Sequence, residues 1–132
     1  MPRERKTILV VDSDAVYRES VRHVLRTAGY RVLEAADYRG ALNAHQQHPE
    51  QIDLLLTAIA LAGGNGHELA NALVTAEPDI KILLVSGETG AKVSEFYNVP
   101  GTGTLRRPFE PGALLRKIKE VLGPSRSTTA LA

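Results

Sequence analysis

The groups of this chain that could do chemistry stand directly after short apolar runs. Asp12, Ser13 and Asp14 follow Ile8-Leu-Val-Val11, and Thr57 and Ala58 follow Leu54-Leu-Leu56. Ser86 and Gly87 follow Ile82-Leu-Leu-Val85, and Arg106 and Arg107, then Pro108 and Phe109, follow the weaker run Thr102-Gly-Thr-Leu105. A pocket lined by Asp12, Asp14, Thr57, Ser86 and Arg107 could hold an anion such as phosphate or sulfate. No nucleophile–base pair is visible among these residues, which argues against an enzyme. Thr57 offers a hydroxyl without an activating base and reads as a strand-end group bonded locally. Ser86 fits a pocket and fits a turn with Gly87 equally well. Asp14 suits a helix N-cap, whereas Asp12, closing a buried run, suits a pocket.

Other motifs carry less. His45 and His48 stand three apart on a helical stretch without a third metal ligand, so they read as a solvated pair. His23 and His67 belong to no metal-ligand spacing in the sequence. Gly87-Glu-Thr-Gly90-Ala-Lys92 is too short for a phosphate-binding loop, and Gly101-Thr-Gly103 lacks the third glycine of a dinucleotide fingerprint. The basic run Arg116-Lys117-Ile118-Lys119 has no aromatics around it and reads as a solvated helix face rather than a nucleic-acid contact.

The elements that must position these groups follow from length and periodicity. The 132 residues are 43% apolar and 23% charged, which suits one domain with its own core. The absence of cysteine excludes disulfides and Cys-ligated metal centres. A net charge of +1 gives no field for nucleic acid, and apolar runs of four or five residues are far too short to span a membrane. With no signal-peptide pattern at the N-terminus, a cytoplasmic domain is expected.

Strands are expected at Thr7–Val11, Tyr30–Leu33, Ile52–Leu56, Ile80–Val85 and Thr102–Leu105. The first and fourth are nearly continuous apolar runs, as strands buried on both faces of a parallel sheet are. A helix is expected between the N-cap Asp14 and the stop at Gly29, with Val16, Ser20/Val21, Val24, Leu25 and Ala28 at helical spacing on its inward stripe. Further helices are expected at Tyr38–Gln47, His67–Ala76, Ala91–Tyr97 and Pro111–Leu122. Alternation of the two kinds predicts a doubly wound α/β sheet whose ligands bind beyond the carboxyl ends of the strands. Residues 1–6 form a polar lead-in, 7–122 the domain, and 123–132 a flexible tail or the start of a linker.

Five motifs in order resemble the receiver domain of two-component response regulators. They are Ile8-Leu-Val-Val-Asp12, Ala28-Gly-Tyr-Arg-Val-Leu-Glu-Ala35, Asp53-Leu-Leu-Leu-Thr57, Ile82-Leu-Leu-Val-Ser-Gly87 and Arg107-Pro-Phe-Glu-Pro-Gly-Ala-Leu-Leu-Arg-Lys-Ile118. The resemblance implies a flavodoxin-like five-stranded parallel sheet in order 2-1-3-4-5 with helices on both faces. It also implies two acidic residues that hold Mg²⁺ after the first strand, and a phosphate-accepting Asp after the third. A Ser or Thr after the fourth strand and a Lys after the fifth would contact the phosphoryl oxygens. Mg²⁺ prefers such oxygen ligands, and metal and Lys together offset charge on a transferring phosphoryl group.

This sequence departs from that pattern where the chemistry is done. The acceptor position is Ala58, the second acidic position is Ser13 with Asp14 beside it, and the Lys position is Arg107. The aromatic switch position is Thr104, and Ala62 replaces the usual proline before Gly63-Gly64. Asp12 and Ser86 remain. Alanine cannot form an acyl phosphate, so the resemblance implies a degenerate pseudo-receiver that acts by protein–protein interaction. In it Asp12 and Asp14 face Arg107, and the ion pair stands in for metal and phosphate. Any Mg²⁺ site at Asp12 and Asp14 is expected to be weak or lost, and Thr57, Ala58, Ser86 and Arg107 are the phosphoryl-pocket equivalents. The implied partners are a histidine kinase, an output domain, another receiver or a second copy, bound on the fourth-helix, fifth-strand and fifth-helix face. Two alternatives stay open: a conventional receiver carrying an introduced Asp-to-Ala change at position 58, and an anion-binding domain that reuses the pocket.

Overall fold

The computed structural model describes residues 5–86 and 102–123. Its strands and helices alternate: β1 (Thr7–Val11), α1 (Ala15–Thr27), β2 (Arg31–Ala35), α2 (Tyr38–Gln47), β3 (Leu54–Ala58), β4 (Ala60–Leu61), β5 (Gly64–Asn65), α3 (Gly66–Ala76), β6 (Lys81–Ser86), β7 (Thr102–Arg106) and α4 (Pro111–Leu122). Five strands pair in parallel in the order β2-β1-β3-β6-β7, the expected 2-1-3-4-5 sheet. The expected helix at 91–97 lies outside the described residues. Residues 1–4 and 124–132, most of the lead-in and the tail, lie outside them too.

Continuous apolar strands arise because both sheet faces are covered. Leu9, Val11, Leu55, Ile82 and Leu84 pack with Ala41 of α2 and Leu69 and Leu73 of α3. The alternate residues Ile8, Val10, Leu54, Leu56, Leu83 and Val85 pack with Val21 and Leu25 of α1 and Leu114 and Ile118 of α4. Helix starts and stops use side-chain chemistry expected from the sequence. Asp14 caps α1 and Pro111 opens α4. Asp37, a cap the sequence analysis does not name, serves α2 through Gly40 N at 2.7 Å. After α1 and α4 the chain turns at Gly29 (φ +98°) and Gly123 (φ +78°), in the region that favours glycine.

Several expectations need correction. The third strand is Leu54–Ala58, not Ile52–Leu56. Asp53 is held at its start, where its carboxylate accepts Thr7 N at 2.7 Å and its own N–H donates to Thr7 O at 2.9 Å. Thr57 and Ala58 are thereby drawn into the strand, paired with Val11 and Val85. The second strand is likewise Arg31–Ala35 rather than Tyr30–Leu33, in register with the whole of β1. The fourth strand is Lys81–Ser86, not Ile80–Val85, and starts where Lys81 N donates to Asp53 O at 3.0 Å. The fifth runs to Arg106 rather than Leu105, in register with Ser86. In α1 the inward stripe fails at both ends: Val16 is 73% exposed and Tyr17 turns towards the core in its place, while Ala28 is exposed at the C-cap, one residue past the helix.

The β4–β5 hairpin was not expected from the sequence. It is antiparallel, turns at Gly63 (φ +84°), and is tied to the start of α2 by Tyr38 N donating to Ala62 O at 3.2 Å. The next residue, Gly66, has a steric duty. A Cβ there would stand 2.2 Å from the Ala58 carbonyl oxygen, so only glycine lets α3 start this close to the end of β3.

Candidate functional site

Parallel strands deliver Asp12, Thr57, Ala58, Ser86 and Arg107 to one edge of the sheet, at or just beyond the carboxyl ends of β1, β3, β6 and β7. This is where a doubly wound sheet places its ligands. The edge is well covered: Thr57 is 0% exposed, Asp12 4%, Ser86 6% and Ala58 7%.

Asp12 and Arg107 meet directly. Arg107 Nη2 donates to Asp12 Oδ2 at 2.9 Å, across 95 residues of sequence. The other carboxylate oxygen, Oδ1, accepts Asp14 N at 2.9 Å. Both oxygens of Asp12 therefore already face donors, as a buried carboxylate requires. Arg18 adds a further tie by donating from Nη1 to the Asp12 carbonyl, and with Arg22 it pairs with Glu34 on β2.

Asp14 does not join this pair. Its Oδ1 accepts the N–H groups of Val16 at 2.9 Å and Tyr17 at 3.2 Å, so its carboxylate caps α1. The expected pairing of both acids with Arg107 holds in this geometry for Asp12 only. Ser13 is exposed. The Thr57 hydroxyl donates to the Ala58 carbonyl at 2.9 Å, a local bond. Ser86 pairs in register with Arg106, and its carbonyl accepts Arg107 N at 3.1 Å, which fixes where the Arg107 backbone leaves the sheet. Thr104 is exposed on β7 opposite Leu84. His45, read from the sequence as one of a solvated pair, instead lies within 2.8 Å of Glu77 Oε1, linking α2 to the end of α3.

Two aromatic residues complete the site: Phe109, named from the sequence by its place after Arg107 without a role, and Tyr17, which the sequence analysis does not name. The Tyr17 ring lies under the Arg107 guanidinium, 4.5 Å from Cζ to the ring centroid. Phe109 meets the same ring edge-on, with centroids 6.4 Å apart and an interplanar angle of 77°. The signal available was Tyr17 itself, one turn into α1 after Asp12. It was obscured by placing Val16 on the inward face. Burial pushes the Tyr17 phenol up to about 12. Arg107 opposes that shift and Asp12 adds to it, so the three groups feel one another.

The residues present do not fit a divalent cation. Mg²⁺ is usually held by one or two carboxylates, with water or phosphate oxygens completing its shell. Here Asp12 is engaged by Arg107 and the Asp14 amide, Asp14 caps the helix, Ser13 is neutral, and Ala58 offers no side-chain oxygen. Among the described residues no group of three or more His, Asp or Glu is placed to hold a metal. No described helix is long and apolar enough to cross a membrane.

Comparisons with known proteins agree with this fold. A family model described as the response regulator receiver domain matches residues 8–119. The phosphate regulon transcriptional regulatory protein PhoB of Pseudomonas aeruginosa is 35% identical over 92% of this chain and 55% of its own length. Sensor kinase CckA of Brucella abortus is 33% identical over 87% of this chain and 12% of its own length. The chain thus spans about half, or much less, of these curated relatives. The crystal structure of a CheY-like response regulator receiver domain protein from Methanospirillum hungatei superposes with a TM-score of 0.80 at 32% identity, covering 90% of this chain and 94% of that one. The chain belongs to the response regulator receiver domain family of two-component signalling.

Proposed function

We propose that this receiver domain signals without phosphorylation at the usual position, as a pseudo-receiver held in one conformation by its own ion pair. The observation that carries the reading is the 2.9 Å contact of Arg107 with Asp12, beside an alanine at position 58. An alanine methyl has no lone pair with which to attack a phosphoryl donor. The guanidinium supplies at Asp12 the positive charge that a metal would otherwise bring, and unlike Lys it stays charged and keeps its planar fork. The pocket therefore needs neither Mg²⁺ nor a phosphoryl group to balance Asp12.

On this reading the domain works by binding, as part of a cytoplasmic signalling chain. A change of state comes from a partner that favours one of two conformations. The fitting partners are a histidine kinase, an output domain, another receiver or a second copy. Of the expected docking face, β7 and α4 are described, with Thr104, Arg106, Arg116 and Lys119 exposed along them. The anion-binding alternative is less favoured, because Arg107, its cationic anchor, already holds Asp12. The open question of an introduced change at position 58 is met by the substitution Ala58→Asp considered below.

The test is thermal unfolding with and without millimolar Mg²⁺. A ligand that binds only the folded state raises the midpoint by mass action. The midpoint is expected to stay put beyond the effect of matched ionic strength. A clear rise specific to Mg²⁺ would show a working metal site and overturn the reading.

A further inference from the structure

We infer that Tyr17 is the positioning residue that keeps Arg107 on Asp12. The inference rests on the ion-pair reading above and assigns its control to a side chain outside the pair.

Arg107 is held at Asp12 by little else. Its side chain is 28% exposed, so a rotation of its flexible stem could carry the guanidinium into water. A fork-on-fork pair with a carboxylate uses two parallel bonds. Here a single one, from Nη2 to Oδ2, is formed, and Nε is buried with no hydrogen-bond partner among the described residues. One hydrogen bond fixes a point but leaves the guanidinium plane free to swing about it. The Tyr17 ring supplies the missing constraint, since a ring face 4.5 Å from Cζ attracts the cation and sets the plane.

Tyr17 is in turn located from two sides. Its backbone N–H donates to Asp14 Oδ1, and Phe109 abuts its ring edge-on. The ring also lines a groove of about 290 Å³ between α1 and α4, together with Phe109 and Leu114. Its hydroxyl, buried without a partner among the described residues, does not anchor it. The ring is instead held by the α1 cap at its backbone, by Phe109 at its edge and by packing against the core face that α1 and α4 cover. The cap residue Asp14 thus acts on the pocket through Tyr17, although its carboxylate is spent on the helix.

The experiment reads Arg107 directly, by ¹H–¹⁵N spectra of the arginine Nε–H groups in the full chain and its variants. In the native protein the Arg107 Hε is expected upfield of that of exposed Arg116, because it lies over a ring face, and to exchange with water more slowly. Tyr17→Leu is expected to abolish the upfield shift and speed that exchange by roughly two- to tenfold, the range set by an exposed to part-buried cation–π contact. Tyr17→Phe keeps the face and is expected to preserve both. Asp12→Asn is expected to speed exchange while leaving the ring shift partly in place.

If Tyr17→Leu removes the ring shift but leaves exchange unchanged, Tyr17 is a neighbour and the inference fails while the ion pair stands. If Asp12→Asn changes nothing at Arg107, the ion pair itself fails and takes the inference with it. Should Tyr17→Leu not fold, the native spectrum decides. An Arg107 Hε that matches Arg116 in shift and exchange overturns the inference.

Discussion

Arg107→Gln leaves the Asp12 carboxylate, only 5% exposed as a side chain, with one of its oxygens facing no cation. Removing one partner of a fully buried pair costs about 3–5 kcal/mol, because the remaining charge stays out of water. Arg107 is 28% exposed, so solvent already screens part of the attraction and will reach Asp12 after the substitution. A loss of about 1–3 kcal/mol is therefore expected. Asp12→Asn should cost less. The amide oxygen can still accept Asp14 N, and the freed guanidinium can turn to water. The double variant has neither charge to satisfy and should lose less than the sum of the singles, by about 1–3 kcal/mol. The assay is urea unfolding of the four proteins at low and high salt. A partly buried pair should keep most of its coupling at high salt, where an exposed pair would lose it. Additivity within about 0.5 kcal/mol would refute the reasoning, since it is what independent sites show.

Further expectations follow from the same geometry. Tyr17 titrates higher in the fold, at about 12, than in the unfolded chain at 10.0. Its contribution is complete below pH 10 and declines as pH rises through the folded value, by roughly 2–3 kcal/mol in all. Alkaline unfolding curves should therefore fall less steeply for Tyr17→Phe than for the native protein, and equal slopes would contradict the assigned burial. At neutral pH the same variant should be unchanged or up to about 1 kcal/mol more stable, because it deletes a buried hydroxyl without a partner among the described residues. Asp14→Ala should cost about 1 kcal/mol as a lost N-cap, equally with and without Mg²⁺. A cost that appears only with the metal would reassign Asp14 to a cation site. Gly66→Ala forces a Cβ onto the Ala58 carbonyl and should destabilise by about 1–3 kcal/mol in chemical denaturation.

Much of the fold was legible because its signals are local. The boundaries of α2 at Tyr38–Gln47 and α4 at Pro111–Leu122 coincide with those expected, since a cap or Pro starts each helix and the apolar stripe runs its length. The parallel sheet followed from alternation, and its order from the family resemblance. The end of β3 was less legible. Ile52, Leu54, Leu55 and Leu56 are all apolar and buried, so hydrophobicity could not place the register that Asp53 sets by bonding to Thr7. The β4–β5 hairpin has two residues per strand, too few for any periodicity.

The candidate site was legible residue by residue but not as an arrangement. Asp12, Ala58 and Arg107 could be picked out as departures at strand ends. That Asp12 rather than Asp14 takes Arg107 depends on where the α1 cap falls, a matter of a single residue. The roles of Tyr17 and Phe109 depend on packing across 92 residues of sequence (109 minus 17), which no local pattern encodes.

The most direct measurement is the intact mass of the native protein and of Ala58→Asp after incubation with Mg²⁺ and a small phosphodonor. With Arg107 on Asp12 and Ser13 at the second acidic position, neither protein should gain a phosphoryl mass. A gain by the native protein would contradict phosphorylation-independent signalling. A robust gain by Ala58→Asp alone would show that the ion pair does not block the pocket, and that the chain is a working receiver lacking only its acceptor.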